Sequence, residues 1–119
     1  MAHIKIISHK EAKQFDTPPE FNYEERKKFF HLAKWVIDLI GSFKTPANQV
    51  GFILQLGYFK AQKRFFSVTA FHYKDIEFVA NQLGIHVQEV KIESYSTSTA
   101  HRHQAYILKN MGFTKFCKK

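Results

Sequence analysis

The sequence predicts an all-α fold of about five helices, packed as a small bundle with a helix-turn-helix-like element. Three observations lead there. Apolar residues recur at three- and four-residue spacing over several stretches. Cap-type side chains stand where those stretches begin, and glycines stand where they end. One segment, Ala47–Phe59, is apolar nearly all round, as expected of a helix at the centre of a domain.

The elements follow in order. Residues 1–20 read as an N-terminal arm of weak periodicity, holding a short strand or helix at most. The arm ends in Asp16-Thr17-Pro18-Pro19, which has to be extended or turned. Residues 21–119 read as a helical domain. Its first helix runs from Asn22 to Ile40, with Asn22 able to cap and Glu24 and Glu25 suited to the positive helix N-terminus. Phe29, Leu32, Ala33, Val36, Ile37 and Ile40 form its stripe, a break is possible near Leu32, and Gly41-Ser42 marks the stop. Thr45-Pro46 is a cap followed by proline at the first helical position, where no N–H is required. In the central helix Gly51 and Gly57 would allow close approach of another helix, although each weakens the helix itself by ~1 kcal/mol. A basic connector, Lys60–Arg64, and the pair Phe65-Phe66 lead into a loop ending near His72. A helix over Tyr73–Leu83 places Ile76, Val79, Ala80 and Leu83 together, and Gly84 is its expected C′ residue. A short helix over Val87–Ser94 follows. The last helix, about Ala100–Asn110, has several possible caps in Ser96-Thr97-Ser98-Thr99 and stops at Gly112.

Length and composition narrow the function. At 119 residues and 14.0 kDa there is room for one domain. The 13 Phe, 5 Tyr and 1 Trp supply a large aromatic core for so short a chain. Lys and Arg total 18 against 10 Asp and Glu, a formal charge of +8, which points to a polyanionic partner. The excess is uneven: residues 1–59 carry 8 basic and 6 acidic groups, whereas residues 60–119 carry 10 and 4. A single cysteine, Cys117, rules out an intrachain disulfide and a thiolate metal site. No apolar run approaches a membrane span, and Met1–Ser8 lacks a signal-peptide core. The expected setting is the cytoplasm, in association with the nucleoid.

Three local patterns carry chemistry. Val79-Ala80-Asn81-Gln82-Leu83-Gly84-Ile85, with Val87 and Val90, has helix-turn-helix spacing: Ala80 lets the helices approach, Gly84 turns the chain, and Ile85 and Val90 fill the angle. A second helix entering the major groove would put Gln88 and Lys91 forward, while Glu89 and Glu93 would repel phosphate. An ordinary helical corner uses the same packing. The second pattern is His101-Arg102-His103 with Lys109 and the tail lysines Lys115, Lys118 and Lys119. Arg102 and Lys109 lie seven residues apart on one helix face, behind a run of hydroxyls suited to phosphate. A solvated lysine face reads the same way. The third is Lys60-Ala61-Gln62-Lys63-Arg64, a possible phosphate clamp. Asn48 and Gln55 could extend it, although an amide on a buried helix, Gln55 especially, is more often structural. Histidines 101 and 103 diverge on a helix with no carboxylate or cysteine to complete a metal set, and His103, four before Ile107, faces the core. No nucleophile elbow and no glycine-rich phosphate loop is present, so neither catalysis nor a cofactor is expected.

Several segments together resemble a known family. Phe29-Phe30-His31-Leu32, then Ala47-Asn48-Gln49-Val50-Gly51-Phe52-Ile53-Leu54-Gln55-Leu56, then Val79-Ala80-Asn81-Gln82-Leu83-Gly84, then His103 with Ile107 and Gly112-Phe113 occur in the order found in the N-terminal DNA-binding domain (DUF4158 type) of Tn-three family transposases. The resemblance spans about Phe21 to Phe116. It implies a helical domain that binds double-stranded DNA at the transposon's terminal inverted repeats, while the catalytic acids of the family lie far downstream. A 119-residue chain would then be an excised, truncated or stand-alone N-terminal domain without strand-transfer chemistry. Two departures stand out: Lys63-Arg64-Phe65 replaces a glycine-arginine-phenylalanine, and Arg102 is the main survivor of the arginines around the histidine element. The expected DNA contacts are Lys60, Lys63, Arg64, Gln88, Lys91, His101, Arg102 and Lys109. The competing expectation is a protein-interaction module that docks onto the rest of a transposase or onto a second copy.

Overall fold

The computed structural model describes residues 17–112. The first sixteen residues of the arm, Phe113, Cys117 and the tail lysines lie outside the described residues. Six α-helices lie within them: α1 (Tyr23–Phe29), α2 (Lys34–Ile40), α3 (Pro46–Gln62), α4 (Tyr73–Gln82), α5 (Val87–Val90) and α6 (Thr97–Asn110). Two 3-10 turns, Val68–Ala70 and Ile92–Ser94, interrupt the connections. The all-α prediction holds.

Helix α3 is the axis of the domain because its sequence has no polar face to leave in water. Every residue from Val50 to Phe59 is buried, and all the other α-helices pack on it. Fully burying a Leu, Ile or Phe side chain contributes about 1.5–3 kcal/mol, and α3 supplies Phe52, Ile53, Leu54 and Leu56 at 2% exposure or less. Its start follows the Thr45-Pro46 signal, with the Asn48 N–H donating to Thr45 Oγ1 at 3.1 Å. Both glycines seat aromatic rings, and Gly57 also takes the backbone carbonyl of Phe29, at the end of α1, 3.1 Å from where its Cβ would stand. A Cβ at Gly51 would lie 2.5 Å from the Tyr95 ring, and one at Gly57 would overlap the Phe30 ring.

The other caps also follow the sequence. Asn22 and Glu25 form a reciprocal capping box, each backbone N–H donating to the other's side chain. Ser96 caps α6, accepting from the Thr99 N–H at 3.1 Å. Gly84, at φ 73°, closes α4 as the sequence predicts: the Ile85 N–H reaches the Ala80 carbonyl and the Gly84 N–H that of Asn81.

A buried ionic knot joins α1, α3 and α4. Asp75 is wholly buried; Arg26 Nε–H donates to its Oδ1 at 2.7 Å and the Tyr58 hydroxyl to its Oδ2 at 2.5 Å. Burial, and then the hydrogen bond to Asp75, push the Tyr58 phenol far above its ordinary range, so it remains a donor. The His72 ring, bonded through Nε2 to the Pro18 carbonyl at 2.8 Å, ties the incoming chain to the same corner.

Five details of the expected helices are refined or corrected. The Asn22–Ile40 stretch is two helices, broken at residues 30–33 around Leu32, where the sequence allowed a break, because the chain leaves helical geometry at Phe30 and drives that ring, with no exposure, into the core beside Tyr58 at 5.9 Å. The restart turns α2 so that Val36 and Ile40 are buried while Ile37, expected on the apolar stripe, is 50% exposed. The helix over Val87–Ser94 stops at Val90, where Lys91 takes the left-handed conformation (φ 49°) and the chain continues as a 3-10 turn. The basic connector is shorter than expected, since α3 continues through Lys60 to Gln62, and α6 begins three residues earlier, at Thr97.

Candidate nucleic-acid interface

Helices α3 and α6 are joined by three contacts. Phe52 meets the His103 ring edge-on at 5.3 Å, and one turn later the Gln55 amide reaches the Ala100 carbonyl at 3.2 Å and Gln104 at 3.0 Å. The segment that follows α3 meets the beginning of α6. There the chain forms a groove of about 680 Å³. One wall is the segment after α3, from Phe65 through Ser67 to Thr69; the other is Glu93, Ser96, Thr97 and His101. Tyr95 and Ala100, both buried, form the floor.

A buried polar chain fixes this floor. Gln55 Nε2 donates to the Tyr95 hydroxyl at 2.7 Å, and that hydroxyl lies 2.6 Å from His103 Nδ1. Burial, assisted by the Arg102 charge, pushes His103 down to about 4. Neutral at pH 7, Nδ1 accepts from the Tyr95 hydroxyl, and the proton stays on Nε2. The ring stacks on Phe43 at 4.5 Å. Gln55 and His103 thus have structural roles, as the sequence favoured, and Gln104 donates to Gln55 Oε1.

The expected contact residues fall into three places. Lys60 lies in the last turn of α3, and Lys63 and Arg64 directly precede Phe65 and Phe66 of the groove wall. Lys60 is half-buried, and its ammonium is held below the usual lysine range by that burial. Lys63 takes the left-handed C-cap position of α3 (φ 59°), and its Nζ donates to the Lys60 carbonyl at 3.2 Å, an interaction suited to the negative helix end. The Arg64 guanidinium lies over the Phe66 ring at 4.7 Å. His101 lines the opposite wall, and Arg102 follows it, exposed, with Nη2 3.5 Å from Thr99 Oγ1. Of the eight expected residues His101 lines the groove, and Arg64 touches it through the lining ring of Phe66.

Lys109 is exposed on the Arg102 face but two helical turns further along α6, away from the groove. Gln88 and Lys91 line a separate depression with Tyr73 and Ile76. Both are exposed, yet α5 is a single turn of four residues, too short to lie along a major groove as the sequence suggested. The helical corner is present; the long second helix is not. Sequence reasoning missed the groove's lining, although the aromatic pair Phe65-Phe66 directly after Lys63-Arg64 was a usable signal. Asp75 and Tyr95 gave none, because Arg26 and Tyr58 lie 49 and 17 residues from Asp75, and Gln55 lies 40 from Tyr95.

Among the described residues, no group of three or more histidine, cysteine, aspartate or glutamate side chains is placed to hold a metal ion, and no helix is long and apolar enough to cross a membrane. A family model described as a domain of unknown function, DUF4158, matches residues 6–119, and the chain belongs to that family. No curated protein and no solved structure matches the chain.

Proposed function

We propose that this DUF4158 domain binds double-stranded DNA, recognising transposon terminal inverted repeats as a domain without strand-transfer chemistry of its own, in the cytoplasm at the nucleoid. The supporting observation is the groove between the segment after α3 and the start of α6: His101 lines it, the Arg64 guanidinium lies over the lining ring of Phe66, and Lys63 and Arg102 are the chain neighbours of these two. The sequence resemblance to the N-terminal region of Tn-three family transposases points the same way. On this reading the cations take phosphates along the groove rim, and Lys109 extends the track along α6. Arg102 has the planar donor fork that reads guanine bidentately. Gln88 and Lys91 are secondary contacts, outside the main track.

If about five phosphates are neutralised, log affinity falls against log salt with a slope around −4 to −5. The test is fluorescence anisotropy with a labelled transposon-end duplex and a scrambled duplex of equal length, titrated with salt. Preference for the end supports recognition. Equal, steeply salt-dependent binding reduces the function to phosphate binding. A second reading, docking onto other transposase segments or a second copy, draws on the exposed Tyr23 and Tyr73, each 61% exposed, and on Ile37. Absence of DNA binding together with concentration-dependent self-association would put it first.

A further inference from the structure

We infer that the groove between residues 65–69 and the start of α6 holds an unpaired nucleobase of the bound DNA, so that the domain prefers a frayed or overhanging end to a fully paired one. The inference rests on the DNA-binding reading and follows from how charge is distributed around the groove. The formal cations Lys63, Arg64 and Arg102 stand within two residues of the lining in sequence, and neither they nor Lys60 are part of it. The lining itself contains Phe65, Val68, the hydroxyls of Ser67 and Thr69, and the Glu93 carboxylate. A phosphate would meet Glu93 there and find His101 as the one basic side chain of the lining. A base reverses those preferences. Its π-face stacks on an aromatic wall, and its exocyclic N–H groups donate to a carboxylate.

The dimensions agree. A groove of about 680 Å³ lies within the roughly 300–1,000 Å³ range of small-molecule sites and has room for one nucleotide. Phe65 is half-buried and stacked on Phe59 at 4.9 Å, so its ring is held in place before any ligand arrives. A phosphate backbone following the rim cations would deliver a terminal base into the groove. A paired base, locked in the duplex stack, cannot enter.

Three duplexes of one sequence test this by anisotropy: blunt, carrying a single unpaired nucleotide, and carrying an abasic nucleotide at that position. The unpaired base should strengthen binding by about 5- to 150-fold over the abasic site, the range of one base–aromatic stack. Phe65→Leu, which retains apolar volume, should bring that ratio close to one. In the unmodified protein, 5-iodouracil at the unpaired position should photocrosslink to Phe65, Tyr95 or His101. Equal affinity for all three duplexes, or a crosslink outside the groove, overturns the inference and leaves duplex binding standing. Binding to none of them removes the DNA reading as well.

Discussion

Replacing Gly51 with alanine separates helix propensity from packing, because the two predict opposite signs. Gly51 sits inside α3 in right-handed helical geometry, so by propensity alone Gly51→Ala should stabilise the domain by about 1 kcal/mol. The tertiary structure reverses this. The new Cβ would stand 2.5–2.6 Å from three atoms of the Tyr95 ring, about 1 Å inside the ordinary 3.5–4.0 Å carbon–carbon separation. Tyr95 is 3% exposed and has little room to retreat. Its hydroxyl is bonded to both Gln55 and His103, so moving the ring also stretches two buried hydrogen bonds. Overpacking costs about 1–3 kcal/mol and each strained bond up to about 1 kcal/mol. Set against the propensity gain, the net is a destabilisation of about 2 kcal/mol. Urea unfolding followed by circular dichroism measures it as a lower midpoint at unchanged slope. A midpoint equal to or above the parent's would refute the reasoning and mean that α3 and the Tyr95 segment slide apart at little cost.

Three further outcomes are expected. Arg26→Ala leaves Asp75 buried with the Tyr58 hydroxyl as its remaining partner in the knot, and should cost about 3 kcal/mol in urea unfolding, whereas a loss under 1 kcal/mol would mean that water replaces the guanidinium. His103 has its folded-state pKa lowered to about 4, from 6.5 unfolded, so the unfolded chain binds the extra proton between those values. Stability from this group is complete above about pH 6.5 and is lost as pH falls towards 4, by on the order of 2–3 kcal/mol, and His103→Gln should flatten that part of the pH profile. The double variant Lys63→Ala, Arg102→Ala should make the salt slope of DNA binding about 2 units shallower, and an unchanged slope would exclude both from phosphate contact.

What the sequence made legible was local. Asn22, Thr45-Pro46, Gly84 and Ser96 do in the structure what their side chains or backbone freedom allow within four residues of chain, and the apolar character of α3 is visible without any partner. The errors came where a distant contact outbid a local pattern. Helical periodicity runs through residues 29–40, yet Phe30 gains more from a place against Gly57 and Tyr58 than the backbone loses by breaking. The same holds after Val90: a continuous helix to Ser94 would carry Tyr95 away from Gly51, and Lys91 accepts a left-handed conformation so that the ring can reach it. Part of the candidate site was legible as basic runs in the second half of the chain. The groove beside them was not, because it depends on how α6 packs on α3, a relation set by the Gln55–Ala100 and Phe52–His103 contacts.

Tyr95 links stability to the proposed function more directly than any charged residue does. Its ring fills the notch at Gly51, its hydroxyl joins Gln55 to His103, and it forms the floor of the groove. The groove is therefore shaped by the same contacts that hold α6 on α3, and it exists before a ligand arrives. Pre-organisation of this kind lowers the ordering cost of binding. It also means that a core substitution such as Gly51→Ala, remote from every cation, should weaken DNA binding when the groove floor shifts. Tyr95→Phe makes the sharper test: it keeps the ring and the floor but removes the hydroxyl, leaving Gln55 Nε2 and His103 Nδ1 without their shared partner. Stability should fall by about 1–3 kcal/mol from those two buried groups. Affinity measured well below the denaturation temperature should change little. If affinity instead collapsed while the fold persisted, the hydroxyl itself would be a contact, and the floor of the groove would be part of the recognition surface.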